Sequence, residues 1–393
     1  MPKVGLAIVT YKDNFGSALQ SYATQYTIQK FGYETGVFDV SGVHNKINRK
    51  KILFYVRRIF EEDELKYMLN NFKSRFRKKA NASSDQYAVN MRIRRKKYEE
   101  FNDKYFKFMT KVHSFKELSK QSSKCDYVVV GSDQLWRPSN IAGGYFTLEF
   151  VPENVTKVAC STSFGVSVLP KSLHKKAKKY LDRIEHISVR ENSGKKIVKE
   201  LTGRNIPVIC DPTMFMDAEE WMTIQQEKPI AEGKYILFYF MGENSEHRGF
   251  VKRLREKTGY RIIGLLHGAI YVPQDEDFVN EALYDVGPSE FINLIRNAEY
   301  MCTDSFHGTV FSILNSTKFF SFRRYSDSSE FSTNDRIHTL LRWTGLSERM
   351  IFGTENVDEC ISMSIDFDEV LKRVEEKRKA SLDYLKKALN VGR

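Results

Sequence analysis

Short apolar runs alternate with amphipathic helical patterns along the 393 residues of this chain. Polar or glycine-containing loops bound each run, which is typical of buried strands in a sheet covered by helices on both faces. In the first half, the runs predict strands at residues 3–10, 37–40, 126–130, 158–162, 187–189 and 208–210. Predicted helices between them include residues 17–31 and 172–181. This order predicts a doubly wound parallel sheet.

The same alternation starts again after a polar stretch at residues 225–234. Further strands are predicted at residues 235–240, 261–265 and 300–303, and further helices at 245–257 and 291–298. The strand at 300–303 is expected to close this series. We therefore predict two Rossmann-like domains that face a cleft, at residues 1–225 and 226–345. A helical extension at 346–393 follows, with a long helix at 366–389 that suits packing across a domain.

A histidine stands at the end of the last predicted strand. Asp304 and Ser305 follow that strand directly, His307 lies in the loop, Gly308 allows a tight turn and Thr309 can cap the next helix. Open α/β sheets bind ligands at this position, beyond the carboxyl ends of strands, where helix N-termini offer amides to anions. The group predicts a functional site. A buried histidine that only satisfies a hydrogen bond is the alternative.

Length and composition indicate a globular protein of about two domains. Hydrophobic residues make up 41% of the chain. No apolar run approaches the ~20 residues that a membrane span requires, and the run at residues 4–9 ends in polar residues, unlike a signal peptide. The protein is therefore expected in the cytoplasm.

Several kinds of site find no support in the sequence. The five cysteines are odd in number and widely spaced, so reduced core thiols are expected rather than disulfides or a structural metal. The chain has no Gly-x-Gly-x-x-Gly motif and no Walker loop. Dinucleotide and ATP binding therefore lose their main support.

The net charge of +12 is concentrated in one segment. From Lys46 to Lys97 the chain has 17 Lys and Arg against 5 Asp and Glu, which equals the excess of the whole protein. Apolar residues are interleaved with the basic ones. We predict a basic helical insertion at about residues 44–100 that lies on an anionic membrane surface. A solvated insertion with its apolar face on the parent domain is the open alternative, and nucleic-acid binding ranks last because no motif supports it.

Five segments resemble the polysaccharide pyruvyl transferase family. They are residues 14–23 (NFGSALQSYA), 130–136 (VGSDQLW), 188–191 (SVRE), 210–213 (CDPT) and 303–308 (TDSFHG). The resemblance runs from the first strand to about Phe322. It implies a fold similar to GT-B glycosyltransferases, phosphoenolpyruvate as donor, and a ketal formed on two hydroxyls of a sugar. Family members often carry arginine two positions before the histidine, where this chain has Ser305.

The donor side of the implied site is expected to consist of residues 304–309 of the second domain and Arg190 of the first. Phosphoenolpyruvate carries a phosphate and a carboxylate, which suit a planar arginine fork, and Arg190 at a strand end is the candidate. His307 is expected to transfer protons, with Asp304 as an orienting carboxylate or a helix cap. Gly308 and Thr309 are expected to offer backbone amides to the phosphate.

The acceptor side is expected on the loop after the first strand, where Asn14 and Gly16 would meet the sugar. Asp133 either binds a sugar hydroxyl or stabilises a turn. Arg323 and Arg324 either compensate for Ser305 in the donor site or are solvated. No cofactor or metal is expected beyond the donor, and the acceptor is expected to be a lipid-linked oligosaccharide. This adds a peripheral location on the inner face of the plasma membrane.

Two rival functions stay open. A GT-B nucleotide-sugar glycosyltransferase would share the architecture and could use Arg190 for a diphosphate. Asp275-Glu276-Asp277 resembles a metal-binding sugar-nucleotide motif, although it lies in an acidic loop. The other rival is a membrane-associated glycan-assembly protein without catalysis, which would follow if Ser305 abolished donor binding.

Overall fold

The computed structural model describes residues 1–10, 13–57, 85–266, 272–325 and 334–391. The first domain contains a sheet of five parallel strands in the order β2-β1-β3-β4-β5. Its strands are β1 (Lys3–Ala7), β2 (Glu34–Val37), β3 (Tyr127–Val130), β4 (Thr156–Thr162) and β5 (His186–Val189). The reversal of strand order next to β1 puts the loops after β1 and β3 at a topological switch point.

Eight helices of the described chain belong to the first domain or follow it. They are α1 (Phe15–Lys30), α2 (His44–Arg57), α3 (Asp85–Tyr105), α4 (Phe115–Ser122), α5 (Pro138–Gly143), α6 (Lys171–Asp182), α7 (Asn192–Thr202) and α8 (Ala218–Met222). Short 3-10 turns occur at Ser41–Val43 and Pro212–Met214.

The second domain contains six parallel strands in the order β11-β10-β9-β6-β7-β8. They are β6 (Tyr235–Tyr239), β7 (Arg261–Gly264), β8 (Glu281–Ala282), β9 (Tyr300–Thr303), β10 (Lys318–Phe322) and β11 (Met350–Ile351). The helices are α9 (Ser245–Thr258), α10 (Gln274–Phe278), α11 (Pro288–Arg296), α12 (Phe306–Leu314), α13 (Asp335–Thr344), α14 (Val357–Ser362) and α15 (Phe367–Ala388), with a 3-10 turn at Ser347–Arg349.

The predicted α/β alternation is confirmed, with three differences. The strand predicted at 37–40 is β2 and ends where the prediction begins. Residues 208–210 form no strand, and only a single bridge joins Val189 to Val208. The second sheet does not close with β9, because β10 and β11 extend it. The domain therefore continues past residue 345, into the segment predicted as a purely helical extension.

One apolar core joins the two domains. Strand side chains alternate between the two faces of a sheet, so Leu6 of β1 faces a cluster that also contains Leu237 of β6, while Ala7 faces a separate cluster on the outer side. Phe15 of α1 stacks on Phe291 of α11 with ring centroids 4.6 Å apart. The domains therefore pack directly against each other.

Helix α15 returns from the second domain to the first, as its length and charge predict. Its side chains bind backbone groups of the segment after β5: Ser381 Oγ accepts from Cys210 N at 3.1 Å, Lys377 Nζ donates to Val208 O at 2.7 Å, and Arg378 Nε donates to Met214 O at 2.7 Å. These bonds satisfy backbone groups that no sheet ladder covers.

The basic insertion begins and ends with helices α2 and α3, and residues 58–84 between them lie outside the described chain. One side of helix α3 packs between the two domains. Its Arg94 is buried and donates to Leu266 O at 2.6 Å and Leu283 O at 3.1 Å, both in the second domain. Lys97 pairs with Glu290 at 3.3 Å, and Tyr98 stacks on Phe15. The second half of the basic stretch therefore stabilises the domain interface.

No helix in the described ranges is long and apolar enough to cross a membrane. The five cysteines are all buried as free thiols.

Candidate active site between the two domains

The histidine of the second domain sits in the first turn of α12. Ser305 is the N-cap, and its Oγ accepts from Gly308 N at 3.4 Å. The helix begins at Phe306, so His307 is helical rather than part of a loop, and Thr309 is not the cap. Thr309 N donates to Ser305 O at 3.0 Å.

The amides expected to bind phosphate are therefore already engaged. Gly308 N donates to its cap and Thr309 N to a carbonyl within the helix, which contradicts the expectation that both face a ligand. In an α-helix the first amides have no partner inside the helix, and here these belong to Phe306 and His307. Gly308 has a packing role, because a Cβ on it would lie 2.8 Å from Thr303 Oγ1.

Helix α1 of the first domain points its N-terminus at the same place. Asn14 is its N-cap and accepts from Ser17 N at 2.9 Å, so its carboxamide oxygen is occupied by the helix. A Cβ on Gly16 would lie only 1.9 Å from His307 Nδ1. The ring of His307 therefore packs on the backbone of α1, and the positive ends of two helix dipoles meet around it.

Asp211, in the loop after the Val189–Val208 bridge, is the buried centre of this cleft. It accepts from Arg190 Nη1 at 2.6 Å, from Ser132 Oγ at 2.8 Å and from Thr213 N at 3.0 Å. His307 Nε2 lies 3.6 Å from Asp211 Oδ1. Burial raises the pKa of Asp211, but His307 and Arg190 lower it more, so the net pKa lies well below its ordinary value. Asp211 is therefore a carboxylate at neutral pH.

Arg190 stands at the carboxyl end of β5 with a side chain only 2% exposed. Its guanidinium lies 4.3 Å from the ring centroid of Phe306. Nη1 binds Asp211, whereas Nε and Nη2 have no hydrogen-bond partner among the described residues; Glu191 and Asp133 approach them only to 4.0 and 3.9 Å. Buried donors without acceptors are costly. The guanidinium thus presents two donors to a ligand in the cleft.

A second arginine of the cleft comes from the other domain. Arg336 of α13 is buried, and its guanidinium lies 5.9 Å from the Phe306 ring. The carboxamide oxygen of Gln134, turned toward it, accepts from both Nη1 and Nη2 at 2.8 Å. Burial and the nearby charge of Arg190 lower the pKa of Arg336 to about 9. Two arginines from opposite domains therefore flank the first residue of α12.

Asp304 does not orient His307. Its carboxylate accepts from Met241 N at 2.7 Å and Gly242 N at 2.9 Å, and Arg324 Nε donates to it at 3.0 Å. These bonds turn Asp304 toward the loop after β6, so the carboxylate beside His307 is Asp211 instead. Of the two arginines after β10, Arg324 therefore binds the carboxylate that holds the loop after β6.

Arg323 points elsewhere, because successive side chains of an extended segment face opposite sides. Its guanidinium lies 4.3 Å from the ring centroid of Phe352. This contact differs from the expected role of Arg323 in the donor site.

Asp133 links the first domain's loops. Its φ of 70° lies in the left-handed region, its carbonyl accepts from Leu135 N at 2.8 Å, and its carboxylate accepts from Ser17 Oγ at 2.7 Å. The residue is therefore part of a turn that holds the N-terminus of α1, as one of the two interpretations predicts. Sugar binding by Asp133 stays a prediction.

The family model for polysaccharide pyruvyl transferase matches residues 14–326, about four-fifths of the chain and all of the cleft residues but Arg336. The chain belongs to the polysaccharide pyruvyl transferase family. This confirms the resemblance carried by the five sequence segments. No curated protein matches the sequence.

Solved structures similar to this family member have the GT-B fold. A Listeria monocytogenes protein assigned as a UDP-N-acetylglucosamine 2-epimerase is 11% identical, with a TM-score of 0.50, over 99% of this chain and 91% of that one. The UDP-GlcNAc 2-epimerase of Methanocaldococcus jannaschii is 12% identical, with a TM-score of 0.50, over 95% and 92%. At this identity the likeness concerns the fold alone. The predicted GT-B-like pair of Rossmann domains is confirmed.

Two cleft residues of this pyruvyl transferase family member escaped the sequence analysis. Asp211 had a signal, because it ends a predicted apolar run and lies in one of the five family segments. Arg336 had none, since an arginine at the start of an amphipathic helix is usually solvated.

The acidic run at residues 275–277 lies apart from these cleft residues. Its Asp275 is buried and paired with Arg248, whose Nε and Nη2 both lie 2.6 Å from the carboxylate.

Proposed function

We propose that the protein transfers the pyruvyl group of phosphoenolpyruvate to two hydroxyls of a sugar and forms a pyruvate ketal. The observation that carries this proposal is a single one. In a member of this family, the buried guanidinium of Arg190 presents two unpartnered donors in the same cleft as His307 and the N-terminus of α12. A small dianion is the class of ligand that such a cleft favours.

The donor would bind through charge and backbone dipoles. Arg190 supplies a planar fork for the carboxylate or phosphate, and the free first-turn amides of Phe306 and His307 replace those of Gly308 and Thr309. Ser305 is retained by the helix as its cap, so the position often held by arginine in the family supplies no charge here. Arg336, 5.9 Å from the Phe306 ring, is the cation that compensates in this proposal.

The proton balance of the reaction assigns His307 two tasks. The first sugar hydroxyl adds to the central carbon of the enol, while a proton goes to the methylene carbon and makes it a methyl group. The second hydroxyl then displaces phosphate, whose leaving oxygen takes the second proton. Histidine can give and take a proton near neutral pH. The carboxylate of Asp211, at 3.6 Å, stabilises the protonated ring. Asp211 is therefore a positioning residue in this proposal.

The acceptor is proposed to be a sugar on a lipid-linked oligosaccharide at the inner face of the plasma membrane. The basic stretch of the first domain supports this part. On the acceptor side, Asn14 and Gly16 are occupied by the helix cap and by His307, so Asp133 and the turn around it are the better candidates for sugar contacts. Phosphoenolpyruvate is proposed as the only small molecule required, and activity should persist in a chelator.

Incubation of the purified protein with phosphoenolpyruvate and lipid-linked oligosaccharides tests the proposal. The expected product is an acceptor heavier by one pyruvic acid less one water, with one phosphate released for each ketal formed. UDP-sugars in place of the donor should give no product. Sugar transfer from a UDP-sugar without any pyruvyl product would instead establish the rival glycosyltransferase. Absence of phosphoenolpyruvate binding in calorimetry would favour the non-catalytic rival.

A further inference from the structure

Helix α2 exposes an apolar face. Ile52, Leu53 and Val56 are 57%, 45% and 47% exposed, although buried positions are the usual place for such residues. The opposite side of α2 is anchored, because Ile47 is buried in the outer cluster of the first domain and a Cβ on Gly143 of α5 would meet it at 3.2 Å. The packing of Ile47 thus fixes α2 with its other, apolar face toward solvent.

Basic side chains lie within this face and along one border of it. Lys46, Arg49, Lys50 and Arg57 are exposed, and α2 contains no acidic residue. At 100° per residue, Arg49 projects between the apolar side chains and the other three lie along one border. Helix α6 continues the charge, since Lys50 and Lys176 Nζ both lie within 3.9 Å of the Cβ position of Gly144. Exposed lysines of α6 are Lys171, Lys175, Lys178 and Lys179.

We propose that α2 is the docking surface of this protein for an anionic lipid bilayer, with Ile52, Leu53 and Val56 inserted and the surrounding cations against the headgroups. An apolar stripe bordered by basic residues is the pattern of helices that lie in the interface of a membrane. The basic side chains match the negative charge of anionic headgroups, so the expected partner is an anionic lipid surface. On helix α3, Arg94, Lys97 and Tyr98 are engaged between the domains, so the proposal is confined to α2.

The position of α2 suits this task. It packs on the outer cluster of the first sheet, whereas the other face of that sheet carries the core shared with the second domain. Docking through α2 would therefore leave the cleft at His307 unobstructed by the bilayer. The benefit of docking rests on the proposed function, since an enzyme that modifies a lipid-linked sugar gains by sharing its surface. The binding itself is measured without any reaction.

Co-sedimentation of the full chain with vesicles tests the proposal. Vesicles of phosphatidylcholine with phosphatidylglycerol should bind the protein at 0.1 M salt, and vesicles of phosphatidylcholine alone should not. Binding should weaken at 1 M salt, where the screening length falls from ~10 Å to ~3 Å. Retention on neutral vesicles at the same level, or no binding to anionic vesicles at low salt, overturns it.

Variants then locate the surface. Ile52→Ser, Leu53→Ser and Val56→Ser combined, or Arg49→Gln with Arg57→Gln, should each weaken partitioning by about tenfold or more. The matched control combines Met363→Ser with Lys372→Gln and Lys379→Gln, which are exposed positions in or near the C-terminal helix α15, and it should bind like the wild type. Circular dichroism and pyruvyl transfer to a soluble acceptor should be unchanged in all variants.

Three results would contradict the assignment. Full vesicle binding by both α2 variants would move the contact to another part of the chain. An equal loss of vesicle binding in the control would show that binding depends on net charge and not on α2. Tight binding to an oligonucleotide that displaces the vesicles, with the same dependence on α2, would make the surface a nucleic-acid site. If the wild type binds the vesicles but transfers no pyruvyl group from phosphoenolpyruvate, the proposed function is wrong and the docking surface still stands.

Discussion

His307 Nε2 in the second domain lies 3.6 Å from Asp211 Oδ1 in the first. The same carboxylate accepts from Arg190 Nη1 at 2.6 Å, so one buried anion lies beside both side chains at the point where the domains meet. Because the two residues belong to different domains, any relative movement of the domains changes the distance between them. The distance between His307 and Asp211 is thus coupled to the arrangement of the two domains.

His307→Ala should lower turnover by about 10²–10⁴-fold while donor binding is retained, since general acid–base catalysis contributes about this factor. Steady-state phosphate release and calorimetry with phosphoenolpyruvate measure the two quantities. Turnover close to that of the wild type would remove His307 from the mechanism.

Arg190→Lys should weaken phosphoenolpyruvate binding, because lysine keeps the charge but loses the planar fork. Arg190→Ala should cost about 2–5 kcal/mol of binding free energy, partly because Asp211 is left buried without its partner. Calorimetry on variants whose fold is verified by circular dichroism provides the measurement. Equal affinity of the lysine variant and the wild type would argue against a bidentate contact.

Asp211→Asn should flatten the acid dependence of stability. A depressed pKa in the folded state means that the unfolded chain binds the proton more readily, near the ordinary value of 3.8. The stabilisation is thus present above that value and is lost as the pH falls from about 5 toward the folded pKa. Urea unfolding of wild type and variant between pH 7 and pH 3 measures the difference. Parallel curves for the two proteins would contradict the charged state of Asp211.

Gly16→Ala should impair catalysis without weakening helix α1. Its Cβ would fall 1.9 Å from His307 Nδ1, so the ring or the domain must move, although alanine favours a helix by about 1 kcal/mol over glycine. Gly249→Ala in α9 is the matched control, because its Cβ meets only Arg253 Nη1 at an ordinary 3.5 Å. We expect turnover to fall only in the Gly16 variant. Equal turnover in both would show that the contact is dispensable.

Arg94→Met should destabilise the domain interface by about 1.5–3 kcal/mol, the range for hydrogen bonds that involve a charged group. The substitution leaves the carbonyls of Leu266 and Leu283 without their donor. Arg92→Met, at an exposed position of the same helix, is the control. Thermal unfolding of the two variants and the wild type provides the comparison. An unchanged melting temperature for Arg94→Met would mean that Arg94 does not stabilise the contact between the domains.

Local hydrophobic patterning is enough to predict the α/β architecture and to place His307 just after a buried strand. Apolar runs and helical periods depend on near neighbours, so they predicted most strands and the long helix α15 correctly. The five short motifs identified the family because they occur together and in the right order along the chain. The same reasoning selected His307 and Arg190 as candidates, and both lie beside Asp211 in the structure.

Which groups meet in the cleft depends on the packing of the two domains. Asp304 and Asp211 are both acids at strand ends in the sequence, but the loop after β6 occupies the first, and the second faces His307 across the domain boundary. Gly308 and Thr309 were assigned to an anion because the helix start was predicted at Thr309, and Ser305 in fact caps it earlier. In the basic stretch, α3 packs at the domain interface, whereas α2 packs on the outer side of the first sheet. Such pairings join residues far apart in the chain, and long-range packing leaves no periodic signal in the sequence.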